Sequence, residues 1–198
     1  MKSLMLDTSW KQLVIILFED GQVKASLVEE AFKRQSESLF VELKRLLGEV
    51  GWKLKDLDEA IITDGPGSYT GLRIAMTTAK LLGTQADIKV KTLSTFQLYA
   101  GTAPAANVIL DARGGRVYAA HLEEGKPTWM GILPLDQVED FLKDNPGELY
   151  GEGWLIDQQA NPSDFVENVR LLLPVAETVE NVHALIPRYM KESDSYKV

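Results

Sequence analysis

Along the first ninety residues the spacing of apolar positions changes several times, and each change predicts an element. Ser3 to Thr8, Gln12 to Phe18 and Val23 to Val28 are rich in aliphatic and β-branched residues, as strands are, and Asp20-Gly21 predicts a tight hairpin between the last two. From Glu30 to Leu47 the period lengthens. Phe32, Leu39, Phe40, Leu43, Leu46 and Leu47 recur at intervals that put most of them on one face of a helix. Ala60 to Thr63 reads as a buried strand, Leu72 to Leu82 as a helix closed by Gly83, and Ile88 to Val90 as a further strand.

The second half repeats this order. Asp7 ends the first strand and Asp111 ends Val108 to Leu110, 104 positions later. The turn Glu19-Asp20-Gly21 recurs as Glu123-Glu124-Gly125 at the same offset, so Val14, Ile16 and Phe18 fall on Tyr118, Ala120 and Leu122. A helix over Leu135 to Leu142 follows the second hairpin. A repeat this long predicts a duplicated lobe rather than a solenoid. Ala100 to Ala106, rich in Gly, Pro and Ala, is the natural boundary, giving an N-terminal lobe over 1–103 and a smaller C-terminal lobe over 104–198. The tail predicts helices over Asp164 to Leu172 and Ala176 to Leu185, with Pro187 ending the second.

Composition narrows the function classes. A chain of 198 residues with 45% hydrophobic content can bury a core, and its formal charge of -8 repels phosphate backbones. No run of Lys and Arg is interleaved with aromatics, which disfavours autonomous nucleic-acid binding; Lys33, Arg34, Lys44 and Arg45 read as a solvated helix face. The chain has no cysteine, which excludes a disulfide framework, a thiolate nucleophile and a cysteine metal site and suits a reducing cytoplasm. The N-terminal apolar run stops at Asp7, too short for a signal peptide, and no stretch reaches the length of a membrane span. The expectation is a soluble, cytoplasmic protein without a membrane partner.

Candidate chemistry gathers at GPGSYTGLRIAM, residues 65–76. Gly65 and Gly67 permit a turn, Pro66 stiffens it, Ser68 or Thr70 can cap the following helix, and Arg73 lies in the first turn. Such a loop can cradle a phosphate at a helix N-terminus. Its spacing matches neither the P-loop, since no Lys-Ser/Thr follows Gly71, nor the dinucleotide fingerprint. The other reading is a capped strand-to-helix turn. The duplication adds a second consideration. A strand, an acidic residue at its end and a hairpin, present twice, is the plan of the actin and sugar-kinase superfamily, whose hairpin turns face nucleotide phosphates. Here those elements are Asp7-Thr8-Ser9 and Asp111-Ala112-Arg113-Gly114-Gly115. The two aspartates are candidates to hold a magnesium ion through water, or simply strand-end caps.

Taken together, DGPGSYTGLRIAMTTAKLL (64–82), MLDTS (5–9), VKTLSTFQLYA (90–100), ILDARGGRVYAA (109–120) and PRYM (187–190) resemble the TsaB (YeaZ) family over nearly the whole chain. This is the bacterial subunit that works with TsaD in making threonylcarbamoyladenosine at position 37 of tRNA. The resemblance implies an α/β, duplicated actin-like fold of the ASKHA, ribonuclease H-like class, two-lobed with mixed central sheets. It also implies a non-catalytic subunit that binds and activates TsaD as a heterodimer. TsaE is the expected third partner, a second copy in a homodimer is the alternative to TsaD, and tRNA is met only through the complex. TsaD carries metal-binding histidines; the corresponding positions here, Thr92 and Phe96, are no ligand pair, so no metal is expected. His121 and His183 read as ordinary, partly exposed residues, and Gln35 stands where the family often has a histidine.

No tightly bound cofactor is expected, only ATP or ADP at the interface with TsaD, with Asp7, Thr8, Ser9, Gly65, Gly67, Ser68, Thr70 and Asp111 as candidate contacts. The implied interface comprises Leu39, Phe40, Leu43 and Leu47 on the first long helix and Leu72, Arg73, Met76, Ala79 and Lys80 on the second. On that reading Leu39→Glu or Met76→Glu breaks pairing without unfolding the chain. The alternative is an independent ATP-dependent phosphotransferase of the same superfamily. It lacks an obvious base: no His or Lys is placed by motif to activate Ser9, Ser68 or Thr70, and Asp64 before Gly-Pro reads as a turn residue.

Overall fold

Alternating apolar residues at the N-terminus form an antiparallel meander of β1 (Lys2–Asp7), β2 (Gln12–Glu19) and β3 (Gln22–Glu30) in the computed structural model, which describes residues 1–31, 34–86 and 88–190. Asp20 (φ 52) and Gly21 (φ 76) are both left-handed, as the two-residue hairpin turn that follows the strands' twist requires. The helix α1 (Gln35–Glu49) begins later than its periodicity suggests. Glu30 still pairs with Gln12, and Ala31 N–H donates to Lys11 O at 3.0 Å, so the strand claims these residues first. Phe32 and Lys33 lie outside the described residues.

Next come β4 (Glu59–Thr63), α2 (Tyr69–Gln85) and β5 (Lys89–Leu93), with β4 parallel to both β1 and β5. Gly83 does not close α2. The helix continues to Gln85, and the bare Cα of Gly83 instead lies against the Val182 side chain. A short α3 (Thr95–Ala100) leads to β6 (Ala105–Asp111), β7 (Arg116–Glu123) and β8 (Lys126–Pro134), then α4 (Val138–Asp144), β9 (Glu148–Gly151) and α5 (Phe165–Leu172). Here too the first strand, β6, is antiparallel to the second and parallel to the fourth, β9.

The duplication is literal in the fold. Beginning at Gln12 and Arg116, and at Gln22 and Lys126, the hairpin strands keep the 104-residue offset that separates Asp7 from Asp111. The irregularity between Leu17 and Phe18 recurs between His121 and Leu122, and the left-handed turn recurs at Glu124 (φ 49) and Gly125 (φ 76). Sheet order is β5-β4-β1-β2-β3 in the first copy and β9-β6-β7-β8 in the second, so each sheet is mixed and the second stops one strand short. This is the duplicated ribonuclease H-like arrangement of actin-like α/β proteins.

The tail departs from expectation. Beyond α5 a 3-10 turn at Leu173–Val175 leads into Ala176 to Leu185, which is not a helix but a strap: the two-residue strand β10 (Glu177–Thr178) on the free edge of β5, and a second 3-10 turn at Val182–Ala184. Ala176, Val179, Val182 and Leu185 recur every third residue, a period nearer the 3-10 repeat than the 3.6 of an α-helix. Val179, Val182 and Leu185 pack on the core under the first sheet. The described chain divides into two compact units, Met1–Thr95 with Leu173–Arg188, and a second over Phe96–Leu172 with Tyr189 and Met190.

One face of the first sheet, through Leu4, Leu6, Leu13, Ile15, Leu17, Ala60 and Ile62, receives α1 and α2. The helices answer with Leu39, Leu43, Leu46 and Leu47, and with Ala75, Met76, Ala79 and Leu82. In the second unit Ile109, Val117 and Ala119 pack under Val138 of α4. His121 there is buried rather than partly exposed, its Nδ1 2.9 Å from Asn107 Oδ1. Because Leu39 is fully buried and its neighbour Phe40 is 55% exposed, the two should separate sharply on truncation. Leu39→Ala is expected to lower unfolding stability by about 3 kcal/mol, and Phe40→Ala by less than about 0.5 kcal/mol; urea titration followed by circular dichroism measures both.

Candidate functional site

The glycine-rich loop is built around the end of β1. After Asp7 the chain turns so that Thr8 and Ser9 lie on the segment joining β4 to α2. Ser68 N–H donates to Ser9 O at 2.7 Å, and Thr8 Oγ1 donates to Gly71 O at 2.7 Å. A Cβ at Gly67 would collide with Ser9 O, and one at Gly71 with Thr8 O. These two glycines therefore serve the close approach of two stretches of the protein's own backbone. Ser68 is the N-cap, its hydroxyl accepting from Gly71 N–H at 3.4 Å. Gly65-Pro66 is a cis peptide, and Gly65 O accepts from Thr95 N–H at 2.8 Å.

Asp7 is buried. Its carboxylate accepts the Ser9 N–H at 3.0 Å and the Thr63 hydroxyl, and burial pushes its carboxyl above the ordinary value against the pull of those hydrogen bonds. Asp111 repeats the turn, accepting Arg113 N–H at 2.7 Å, while its own N–H donates to Glu152 Oε2 at 2.7 Å. Thus Asp7, Thr8, Ser9, Gly65 and Gly67 are buried within the first unit, Ser68 and Thr70 are exposed at its surface, and Asp111 is half-buried in the second unit. Among the described residues no three His, Cys, Asp or Glu side chains gather to hold a metal ion.

Most of the helix stripe expected to meet a partner is turned inward. Leu39, Leu43, Leu47, Leu72, Met76 and Ala79 are all buried, because an amphipathic helix beside a sheet gives its most continuous apolar stripe to that sheet. Glutamate at Leu39 or Met76 therefore unfolds the chain rather than merely breaking pairing. What remains outside is the adjoining stripe. Tyr69, Arg73, Thr77 and Leu81 follow one another at intervals of four along α2, and with Ser36 and Phe40 of α1 they line a groove of about 410 Å³. Phe40 and Leu81 are more than half exposed, at 55% and 51%. Arg73 Nη1 donates to Tyr69 Oη at 2.6 Å and its guanidinium lies 5.2 Å from the ring centroid, a pair that holds both side chains upright. Lys80 Nζ, by contrast, donates to His183 O at 3.1 Å, so its ammonium is engaged by the strap. Tyr69, Thr77 and Leu81 escape a search for apolar stripes because only the four-residue spacing, not hydrophobicity, links them.

Two outcomes check the loop's architecture. Gly71→Ala is expected to cost about 3 kcal/mol through overpacking, measured as a fall in unfolding free energy. For Asp7 the raised folded value means that its ionised form destabilises the native state at neutral pH, and that this deficit shrinks as pH falls through the folded value toward the ordinary one. Asp7→Asn, which keeps the acceptor oxygen, should therefore be more stable than the parent at pH 7.5, with the gap closing on acidification in parallel urea titrations.

Comparison with known proteins agrees with this architecture. A family model described as "TsaD: tRNA N6-adenosine threonylcarbamoyltransferase" matches residues 27–172. The chain is 33% identical to the tRNA threonylcarbamoyladenosine biosynthesis protein TsaB of Bacillus subtilis over 98% of its own length and 96% of that protein. It is 27% identical to TsaB of Escherichia coli, covering 89% of this chain and 83% of that one. YeaZ from Pseudomonas aeruginosa superposes with a TM-score of 0.77 at 22% identity, over 95% of this chain and 99% of that one, which shows a common fold. A duplicated actin-like chain whose sequence runs alongside TsaB from end to end belongs to the TsaB (YeaZ) family of tRNA threonylcarbamoyladenosine biosynthesis proteins.

Proposed function

We propose that this chain is a non-catalytic subunit that binds TsaD and activates it for threonylcarbamoyl transfer to adenosine 37 of tRNA. The observation that carries the reading is the exposed ridge of Phe40, Tyr69, Arg73 and Leu81 on a member of the TsaB family. Aromatic and arginine anchors amid small polar residues are the composition of an interface core and rim, and two helices can supply about 800 Å² per partner. The loop supports the same reading, since Gly67 and Gly71 are taken up by the backbone of Ser9 and Thr8 rather than held open for a phosphate. Of the loop's hydroxyls, Ser68 and Thr70 face solvent. ATP or ADP would accordingly lie against them, at the surface where TsaD docks. TsaE joins as the third partner, and a second copy of this chain takes the same face when TsaD is absent. A formal charge of -8 fits a subunit that meets tRNA only through the complex.

The test supplies TsaD with tRNA and preformed threonylcarbamoyl-adenylate, with and without this chain. Transfer that requires both proteins supports the reading; transfer unaffected by this chain, or ATP turnover by the chain alone, overturns it. Phe40→Asp and Leu81→Glu should fold as the parent does and weaken TsaD binding at least about tenfold each, whereas Leu39→Glu should fail to fold; calorimetric titration and circular dichroism separate the two effects.

A further inference from the structure

The loop before α2 is gripped from the far end of the chain. Arg188 N–H donates to Asp64 O at 2.7 Å, and Arg188 Nη2 donates to Asp64 Oδ2 at 3.0 Å across 124 residues of sequence. The approach is close enough that a Cβ on Gly65, which stands at φ +123, would sit 2.8 Å from Arg188 O. On its other side the loop is tied to the end of β5, with Asp64 N–H on Leu93 O at 3.0 Å and Thr95 N–H on Gly65 O at 2.8 Å. Asp64 is mostly buried, and among the described residues its Oδ1 has no hydrogen-bond partner while its Oδ2 is paired with the Arg188 guanidinium.

Arg188 closes a longer path. The strap pairs with β5 through β10 and through Val179 N–H to Val90 O at 2.9 Å, packs Val182 on Gly83, and offers His183 O to Lys80. It then reaches the loop at Arg188. The strap thus meets α2 near its C-terminal end, again one turn earlier at Lys80, and finally at the loop that feeds its N-terminus. The ridge of Tyr69, Arg73, Thr77 and Leu81 stays uncovered. This placement suits a splint.

We propose that the Arg188–Asp64 pair is a clasp by which the C-terminal strap fixes the glycine-rich loop and the first turn of α2, making Arg188 a positioning residue for the docking face. The proposal rests on the pairing with TsaD put forward above for its effect on binding, and on this chain alone for its effect on the loop. When the clasp opens, the strap remains anchored at β5, but Ser68, Tyr69 and Arg73 lose the constraint that presents them together.

Hydrogen exchange on the full chain tests the clasp directly. In Arg188→Ala, amides of residues 64–72 should exchange at least tenfold faster while those of β1 and β2 keep the parent's rates, and Arg188→Lys should recover part of the protection. TsaD affinity should fall in the same order. Unchanged exchange at 64–72 overturns the clasp, and so do melting-temperature losses of Asp64→Asn and Arg188→Ala that simply add in the double variant. Faster exchange with undiminished TsaD affinity overturns the positioning role. If the parent chain itself does not bind TsaD, the pairing fails and the positioning role with it, and the exchange rates alone decide the clasp.

Discussion

Two carbonyl oxygens resting on two glycines hold the first unit together where it matters. Thr8 O over Gly71 and Ser9 O over Gly67 bring the end of β1 against the start of α2 more closely than any side chain permits, and hydrogen bonds from Ser68 N–H to Ser9 O and from Thr8 Oγ1 to Gly71 O lock the contact. The direction of α2 follows from it. A helix launched from that point lies along the sheet, so Ala75, Met76, Ala79 and Leu82 face Leu4, Leu6 and Ile62, and the next ridge faces solvent. The surface available to a partner is what the core leaves over.

The same turn chemistry appears twice with different consequences. Asp7 and Asp111 each accept a backbone N–H two residues on, the ordinary use of aspartate at a turn. In the first unit the carboxylate is then buried beside Thr63, and two helices of 15 and 17 residues cover the sheet face lined by Leu4, Leu6 and Ile62. In the second, among the described residues, the helix packed on the sheet's inner core is the seven-residue α4, and the sheet has four strands. Duplication conserved the hairpins, where twist and left-handed turns impose strict local geometry, and let the helical layer shrink, where only apolar area is at stake.

A loop rich in glycine beside a helix N-terminus invites a reading as an anion cradle because both features are local and visible in sequence. What occupies the space in front of it is not local. Here the occupant is the Thr8–Ser9 turn from some sixty residues earlier, together with the main chain of Arg188 from the opposite end. The exposed face illustrates the same point from another side. Periodicity identified both long helices and their most apolar stripe, but the stripe with the strongest signal is the one the core consumes. Phe40, one position round the helix from Leu39, carries the same apolar signal, and only the packing distinguishes them.

What the sequence determined by itself is therefore the part governed by short-range physics: the strand meander, the two left-handed turns, the two long helices, the 104-residue repeat and, through the 64–82 segment, the family. Local spacing misread the tail, because a three-residue apolar period satisfies a strap on a sheet edge as well as it approximates a helix. Tertiary structure alone decided which face of α1 and α2 is outward, what fills the glycine loop, and that Arg188 answers Asp64. Each of these depends on which distant segment packs against a given surface, and no window along the chain contains that information.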